Sequence, residues 1–161
     1  MKVLFVGCGD IGVRTIRELG CVHPVLARQS IAMRRHPEAL PSDIQAVAGD
    51  LGDVSALAAL LERNRFDAIV VTLTPDSMTD EGYVQSYVAG ATALEAALVS
   101  SGQIPGVVIW VSSTGVYGQT EGEWVDELSE AKPSSFRGKR LLEAEQIIQK
   151  LPLSTVVVRF S

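Results

Sequence analysis

Glycine recurs near the amino terminus at a spacing that suits phosphate binding. Gly7, Gly9 and Gly12 follow the apolar run Val3–Val6 and form the pattern GxGxxG at the start of a predicted helix, Ile11–Leu19. The first glycine permits a tight turn, the second lets the backbone approach a pyrophosphate, and the third lets helix and strand pack closely. The helix then offers free N–H groups and its positive dipole end to the phosphates. The predicted dinucleotide site therefore also includes Asp10 and Ile11, where this helix begins.

The residue at the end of the second strand indicates which dinucleotide is bound. An Asp or Glu there binds the ribose hydroxyls of NAD, whereas an Arg accommodates the 2′-phosphate of NADP. We predict the second strand at Val22–Ala27, so that Arg28 stands at its end, with Arg34 and Arg35 nearby. An Arg pairs bidentately with a phosphate, and Arg28 therefore favours NADP over NAD. Arg34 and Arg35 are equally well explained as a solvated charge run.

Two later loops are predicted to border the same cofactor. Asp50 and Leu51 follow the third predicted strand, where the loop would lie beside the adenine, although Asp50 and Asp53 are also suitable helix caps. Leu73 ends the fourth predicted strand and Thr74 follows it, next to the first strand in a dinucleotide-binding sheet. We expect all four strand ends to meet at one edge.

A second motif follows the fifth predicted strand. Segment 110–118 reads WVSSTGVYG, and segment 133–145 reads PSSFRGKRLLEAE. Together with the glycine turn, these segments resemble the extended short-chain dehydrogenase/reductase superfamily, which includes the NAD-dependent epimerases and dehydratases that act on nucleotide sugars. The pattern GxGxxG, in place of the commoner GxxGxxG, is closest to an atypical branch of NAD(P)-binding proteins in that superfamily.

The resemblance implies that Ser113 carries the catalytic hydroxyl. In active members a Ser or Thr orients the substrate, while a Tyr and a Lys four residues later supply the acid/base chemistry. The best match to that pair is Phe136 with Arg140, but phenylalanine has no proton to give and arginine keeps its own. Shifting the match by one residue gives Ser135 and Lys139, and a serine is a poor acid.

Other side chains are candidates for the missing roles. Tyr117, four residues after Ser113, is a candidate acid, although packing or substrate contact explains it as well. Arg140 is a candidate to hydrogen-bond the nicotinamide ribose without tuning a pKa. His23 and His36 are better explained as structural or exposed residues, and no spacing of His, Cys or carboxylates predicts a metal site.

Short β-branched runs alternate with helical patterns along the chain. The predicted strands are Val3–Val6, Val22–Ala27, Ile44–Ala48, Ala68–Leu73, Val107–Ser112 and Thr155–Phe160. The predicted helices are Ile11–Leu19, Val54–Asn64, Asp80–Ser100 and Ser135–Leu151, and Gln29–Asp43 is predicted as a loop with at most a helical turn. This pattern predicts an α/β Rossmann fold, a doubly wound parallel sheet of about six strands with helices on both faces.

Composition bounds the remaining possibilities. The chain has 161 residues, 47% of them hydrophobic, and a net charge of −5, which fits one globular domain without affinity for nucleic acid or membrane. The two cysteines predict no disulfide framework, which favours a cytoplasmic protein. In the superfamily the segment after the last predicted strand begins the substrate-binding part. We therefore expect residues 1–161 to be an NAD(P)-binding domain that lacks most of that part.

These observations predict an NAD(P)-binding oxidoreductase or epimerase/dehydratase-like protein. It would pass a hydride between the dinucleotide and a small polar or nucleotide-sugar substrate near Ser113. The alternative is a catalytically silent dinucleotide-binding sensor or regulatory module, which the Phe136 and Arg140 replacements favour. The resemblance also implies a homodimer formed through the helix Asp80–Ser100.

Overall fold

The computed structural model describes residues 1–119 and 121–161, and within them the strands form one parallel sheet. The strands are β1 Val3–Val6, β2 Ile31–Arg34, β3 Ala46–Ala48, β4 Ala68–Val71, β5 Val107–Ser113 and β6 Thr155–Phe160. Their order is β3-β2-β1-β4-β5-β6, and each neighbouring pair is parallel. This is the doubly wound order of dinucleotide-binding folds, so the predicted fold class is confirmed.

Helices cover both faces of the sheet. They are α1 Asp10–Val22, α2 Pro24–Gln29, α3 Val54–Arg63, α4 Asp80–Tyr83, α5 Ala89–Ser101 and α6 Phe136–Gln149. Short 3-10 helices lie at Pro37–Ala39 and Thr114–Val116, and a π-helical segment, Val84–Val88, joins α4 to α5.

Alternate residues of β1 supply two separate cores. Leu4 and Val6 pack in the core that α3, α5 and α6 cover, while Val3 and Phe5 pack on the α1 side. Because successive side chains of a strand point to opposite faces, a fully apolar β1 is buried on both. The central strands are thereby fixed, and with them the loops at their carboxyl ends.

The predicted second strand, Val22–Ala27, was wrong. Pro24 stands at the first position of α2, where its missing N–H costs nothing and its fixed φ favours a helix. No residue of α2 is buried. The true β2 is Ile31–Arg34, inside the segment predicted as a loop, and its first three residues are buried. The end of the second strand therefore lies at Arg34, six positions beyond Arg28.

Candidate functional site

A crevice opens at the carboxyl ends of β1 to β4. Its volume is about 650 Å³, and it is lined by residues at or just after the end of each of these strands, including Gly9, Arg34, Asp50 and Thr72. Open α/β sheets bind ligands in this position because the loops after the strands diverge at the switch in strand order. The chain folds so that the glycine turn is central, since β1 lies between β2 and β4.

The glycines of the turn serve different purposes. Gly7 has φ +84°, and a Cβ there would lie 2.1 Å from the carbonyl oxygen of Thr72, so this glycine is required by the fold. A Cβ on Gly12 would lie 2.9 Å from Cys8 Sγ, so helix and turn pack closely there. At Gly9 a Cβ would meet no atom within 4 Å. The space beside Gly9 is thus not needed for packing and faces the crevice.

Cys8 sits inside the turn as a buried structural residue. Its side chain is 0% exposed and its φ is +20°, and burial raises the pKa of its thiol. A raised pKa disfavours the reactive thiolate, so Cys8 is suited to packing against α1.

Two arginines at the end of β2 line the crevice. Arg34 Nη1 lies 3.5 Å from the carbonyl oxygen of Cys8, and within the described residues no carboxylate forms an ion pair with it. Arg35 is held by Asp76, to which its Nη1 donates at 2.7 Å. These hydrogen bonds lower the pKa of the Asp76 carboxyl. The crevice therefore holds one guanidinium without a carboxylate partner and one that is ion-paired.

Arg28 does not lie in the crevice, so its predicted position was wrong. It belongs to α2 and lines a different cavity with Met1, Lys2 and Asp67. Those residues precede the strands and so mark the amino-terminal edge of the sheet, opposite the glycine turn. The misplaced second strand is the cause, and Arg34 takes the position that the prediction gave to Arg28.

The other predicted cofactor residues divide between the crevice and its rim. Asp50, Leu51, Leu73 and Thr74 line it. Asp50 Oδ1 also accepts a hydrogen bond from the Gly52 amide at 2.8 Å. The side chains of Asp10 and Ile11 are exposed at the start of α1, where Asp10 pairs with Arg14 at 2.9 Å. Only backbone groups of Asp10 and Ile11 are left to serve an anion.

The π-helical segment forms one wall of the crevice. Gln85 and Ser86 come from this segment and line the crevice with Gly90 of α5. A Cβ on Gly90 would lie 3.0 Å from Leu51 Cδ2, so glycine is what lets α5 approach the loop. Tyr87 Oη donates to the carbonyl oxygen of Leu73 at 3.2 Å. Burial raises the pKa of Tyr87 to about 12, so its hydroxyl remains a donor that fixes Leu73.

Ser113 lies at the carboxyl end of β5, beyond the lining of the crevice. Its Oγ accepts a hydrogen bond from the Gly115 amide at 3.1 Å and so caps the 3-10 helix Thr114–Val116. A Cβ on Gly138 would lie 2.2 Å from the carbonyl oxygen of Gly115, so α6 docks directly on this turn. The structure therefore brings the Ser113 turn and the start of α6 together, as the resemblance implies.

Phe136 and Arg140 occupy the first turns of α6. Phe136 packs edge-on against Tyr83, with ring centroids 5.8 Å apart. Arg140 is bound to Asp80 through Nε at 2.7 Å and Nη2 at 2.9 Å, and to Glu143 through Nη1 at 3.0 Å. These bonds lower the pKa of Asp80 and raise that of Arg140. Ser135, in the shifted match, caps α6 by accepting from the Gly138 amide at 3.2 Å.

Tyr117 belongs to a separate, partly buried cluster. Its hydroxyl donates to the carbonyl oxygen of Asp126 at 2.8 Å and accepts from Arg159 Nη1 at 2.8 Å. Arg159 in turn binds Glu145, which is 0% exposed, at 2.6 Å from Nη2 to Oε2. With its hydroxyl occupied and its ring outside the crevice, Tyr117 has a structural explanation, and its catalytic role remains a prediction.

The family model for the NAD dependent epimerase/dehydratase family matches residues 9–150, which covers the glycine turn from Gly9 onward, the Ser113 turn and α6. The chain belongs to this family. The resemblance noted in the sequence is thereby confirmed. Among curated proteins, none matches the sequence.

Solved structures of the family share the fold. A protein described as an NAD-dependent epimerase/dehydratase, from Methylobacillus flagellatus, is 32% identical, with a TM-score of 0.76 over 99% of this chain and 54% of its own. UDP-glucose-4-epimerase from Stenotrophomonas maltophila, solved with NAD, is 22% identical, with a TM-score of 0.83 over 99% of this chain and 52% of its own. This chain thus spans about half the length of these family members.

A dTDP-glucose 4,6-dehydratase from Streptomyces venezuelae, solved with NAD, is 24% identical. Its TM-score is 0.81 over 99% of this chain and 55% of its own. In the residues of the present chain that its structure describes, no helix has the length and apolar character to cross a membrane.

Several lining residues were missed by sequence reasoning. Gly90 carried a signal, because a glycine inside a helix indicates close approach by another group. Asp76 carried none, since its partner Arg35 is 41 positions away. The remaining lining residues that no motif indicated are Met33, His36, Gly49, Gly52, Thr72, Gln85, Ser86, Ala89 and Ala93.

Proposed function

We propose that this chain binds a nicotinamide dinucleotide in the crevice at the carboxyl ends of β1 to β4. The observation that carries the proposal is the open space beside Gly9, which packing does not require and which a pyrophosphate would fill. The first amides of α1 have no intrahelical partners and supply donors for the phosphates. The crevice volume of about 650 Å³ lies within the usual range for small-molecule and cofactor sites.

Arg34 supports NADP over NAD. It stands at the end of β2, where an Arg accommodates the 2′-phosphate, and within the described residues it forms no carboxylate ion pair. Asp50, which follows β3, lines the same crevice, and its carboxylate would accept a hydrogen bond from a ribose hydroxyl. The preference for NADP over NAD, predicted in the sequence from Arg28, therefore rests on Arg34 instead.

A dinucleotide bound here would supply hydride chemistry for a small polar or nucleotide-sugar substrate beside Ser113. In this chain Phe136 and Arg140 stand where the superfamily has its Tyr and Lys, and Phe136 provides no proton. Three of the five N–H donors of Arg140 already bond to Asp80 and Glu143, so its guanidinium is held by two carboxylates. The full reaction would need the parts that family members carry beyond the span matched here. Homodimer formation through the segment Asp80–Ser100 stays a prediction.

The Phe136 and Arg140 replacements also favour a second candidate function. In this alternative the chain is a dinucleotide-binding module without turnover, a sensor or regulatory unit. A Phe136→Tyr variant that gains activity on a nucleotide sugar supports the enzyme, whereas dinucleotide binding with no activity in either form supports the silent module.

Titration of NADPH and NADH by nucleotide fluorescence tests the binding proposal. We expect Arg34→Leu to weaken NADPH binding at least about tenfold, because a hydrogen bond to a charged group contributes ~1.5–3 kcal/mol, with less than a twofold effect on NADH. Arg28→Leu is the matched control, since it removes the same charge at the opposite edge of the sheet and should change neither affinity. Loss of NADPH binding in Arg28→Leu but not Arg34→Leu would contradict the assignment.

A further inference from the structure

An ion pair crosses the crevice above the glycine turn. Arg35 follows β2 and Asp76 lies on the loop after β4, while β1, with the turn at its end, lies between those strands. Two strand spacings of about 4.8 Å separate β2 from β4, so the pair bridges roughly 10 Å of sheet. Both residues line the crevice together with Gly7 and Gly9.

The pair occupies the face of Arg35 that would bind a phosphate. Nη1 donates to Asp76 Oδ2 at 2.7 Å, and Nη2 donates to Asp76 Oδ1. The remaining Nε lies 3.8 Å from Asp50 Oδ2. A carboxylate and a phosphate both accept from the guanidinium fork in this bidentate way, so they compete for the same donors.

Because both side chains are exposed, a phosphate can replace the Asp76 carboxylate as the partner of Arg35. The Arg35 and Asp76 side chains are 54% and 65% exposed, and exposed ion pairs are weak because water and salt screen them. A bound phosphate dianion has more charge than a carboxylate and would draw Arg35 away.

We propose that Asp76 is a specificity-determining residue that competes with the 2′-phosphate of a dinucleotide for Arg35. Asp76 thereby weakens the binding of NADP relative to NAD, and Arg34 is left as the guanidinium that binds the phosphate at no such cost. This inference rests on the proposed function, because it assigns a role to residues of the same crevice.

The test measures NADPH and NADH affinities by fluorescence for the wild type and Asp76→Asn. We expect Asp76→Asn to tighten NADPH about fivefold and NADH less than twofold, because an exposed ion pair of this kind accounts for a factor of up to about five. Asp43→Asn removes the same charge from an exposed position before β3, outside the crevice, and should change neither affinity. In an Arg35→Leu background, Asp76→Asn should lose its effect on NADPH.

Three results would overturn the competition: no gain for NADPH, equal gains for both dinucleotides, or a gain that persists without Arg35. An equal gain would mean that the pair only obstructs the crevice. If neither dinucleotide binds the folded wild type or any variant, the proposed function itself fails, and the competition with it. If NADH binds and Asp76→Asn changes the affinities for NADPH and NADH equally, this inference fails while the proposed function stands.

Discussion

Replacing Gly9 by valine should reduce dinucleotide affinity at least ~100-fold, because two charge-assisted hydrogen bonds of ~1.5 kcal/mol each would be lost. The valine side chain would fill the space that the pyrophosphate needs, since a Cβ there meets no protein atom within 4 Å. For the same reason the free energy of unfolding should fall by no more than ~1 kcal/mol, most of it from the poorer helix cap. Fluorescence titration and urea denaturation measure the two quantities.

Gly7→Ala is the control for this substitution. Its Cβ would lie 2.1 Å from the carbonyl oxygen of Thr72 at φ +84°, so stability should fall by at least ~2 kcal/mol. A Gly9→Val protein that binds dinucleotide like the wild type would show that the crevice at Gly9 is not the site. A Gly9→Val protein as unstable as Gly7→Ala would show instead that Gly9 serves the fold.

Glu145→Ala should cost the fold about 3–5 kcal/mol, because it leaves the partly buried Arg159 without its carboxylate. Glu145 is 0% exposed on α6, and Arg159 on β6 donates to it from Nε at 3.1 Å and from Nη2 at 2.6 Å. The guanidinium also lies 4.9 Å from the centre of the Tyr117 ring. This cluster anchors the segment after Ser113, so its loss should loosen that turn as well.

Two further variants, compared by urea denaturation, test whether the loss of stability comes from the ion pair. Glu143→Ala removes an exposed carboxylate from the same helix and should have a far smaller effect. Glu145→Met with Arg159→Met should recover most of the stability, because two apolar side chains of similar volume avoid the desolvation of the charges. If the free energy of unfolding of Glu145→Ala fell by less than ~1 kcal/mol, the pair of Glu145 with Arg159 would not anchor this segment.

Local chemistry was sufficient to predict the glycine turn and most of the sheet. β1 and β6 have the predicted bounds because their apolar runs are unambiguous, and the turn after β1 follows from its glycines. The prediction of the second strand failed because Val22–Ala27 is apolar enough for either a strand or a helix. Pro24, which favours the first turn of a helix, decided in favour of α2. A hydrophobic pattern does not distinguish a short strand from a short helix.

The side-chain pairs in the site could not be predicted from the sequence. Arg35 with Asp76 and Arg140 with Asp80 join positions 41 and 60 residues apart. Such pairs depend on which strands become neighbours, and the parallel order β2-β1-β4 is what sets Arg35 opposite Asp76. Residue types therefore predicted an arginine at the end of the second strand, while topology decided which arginines line the crevice.

Hydrogen–deuterium exchange with and without saturating NADPH tests the central claim most directly, because it locates the bound dinucleotide. We predict slower exchange in segments 8–13, 34–36 and 72–76, which border the crevice, and unchanged exchange around Arg28 at the opposite edge. Exchange at the glycine turn that stays the same with NADPH and with NADH, in a folded protein, would contradict the account.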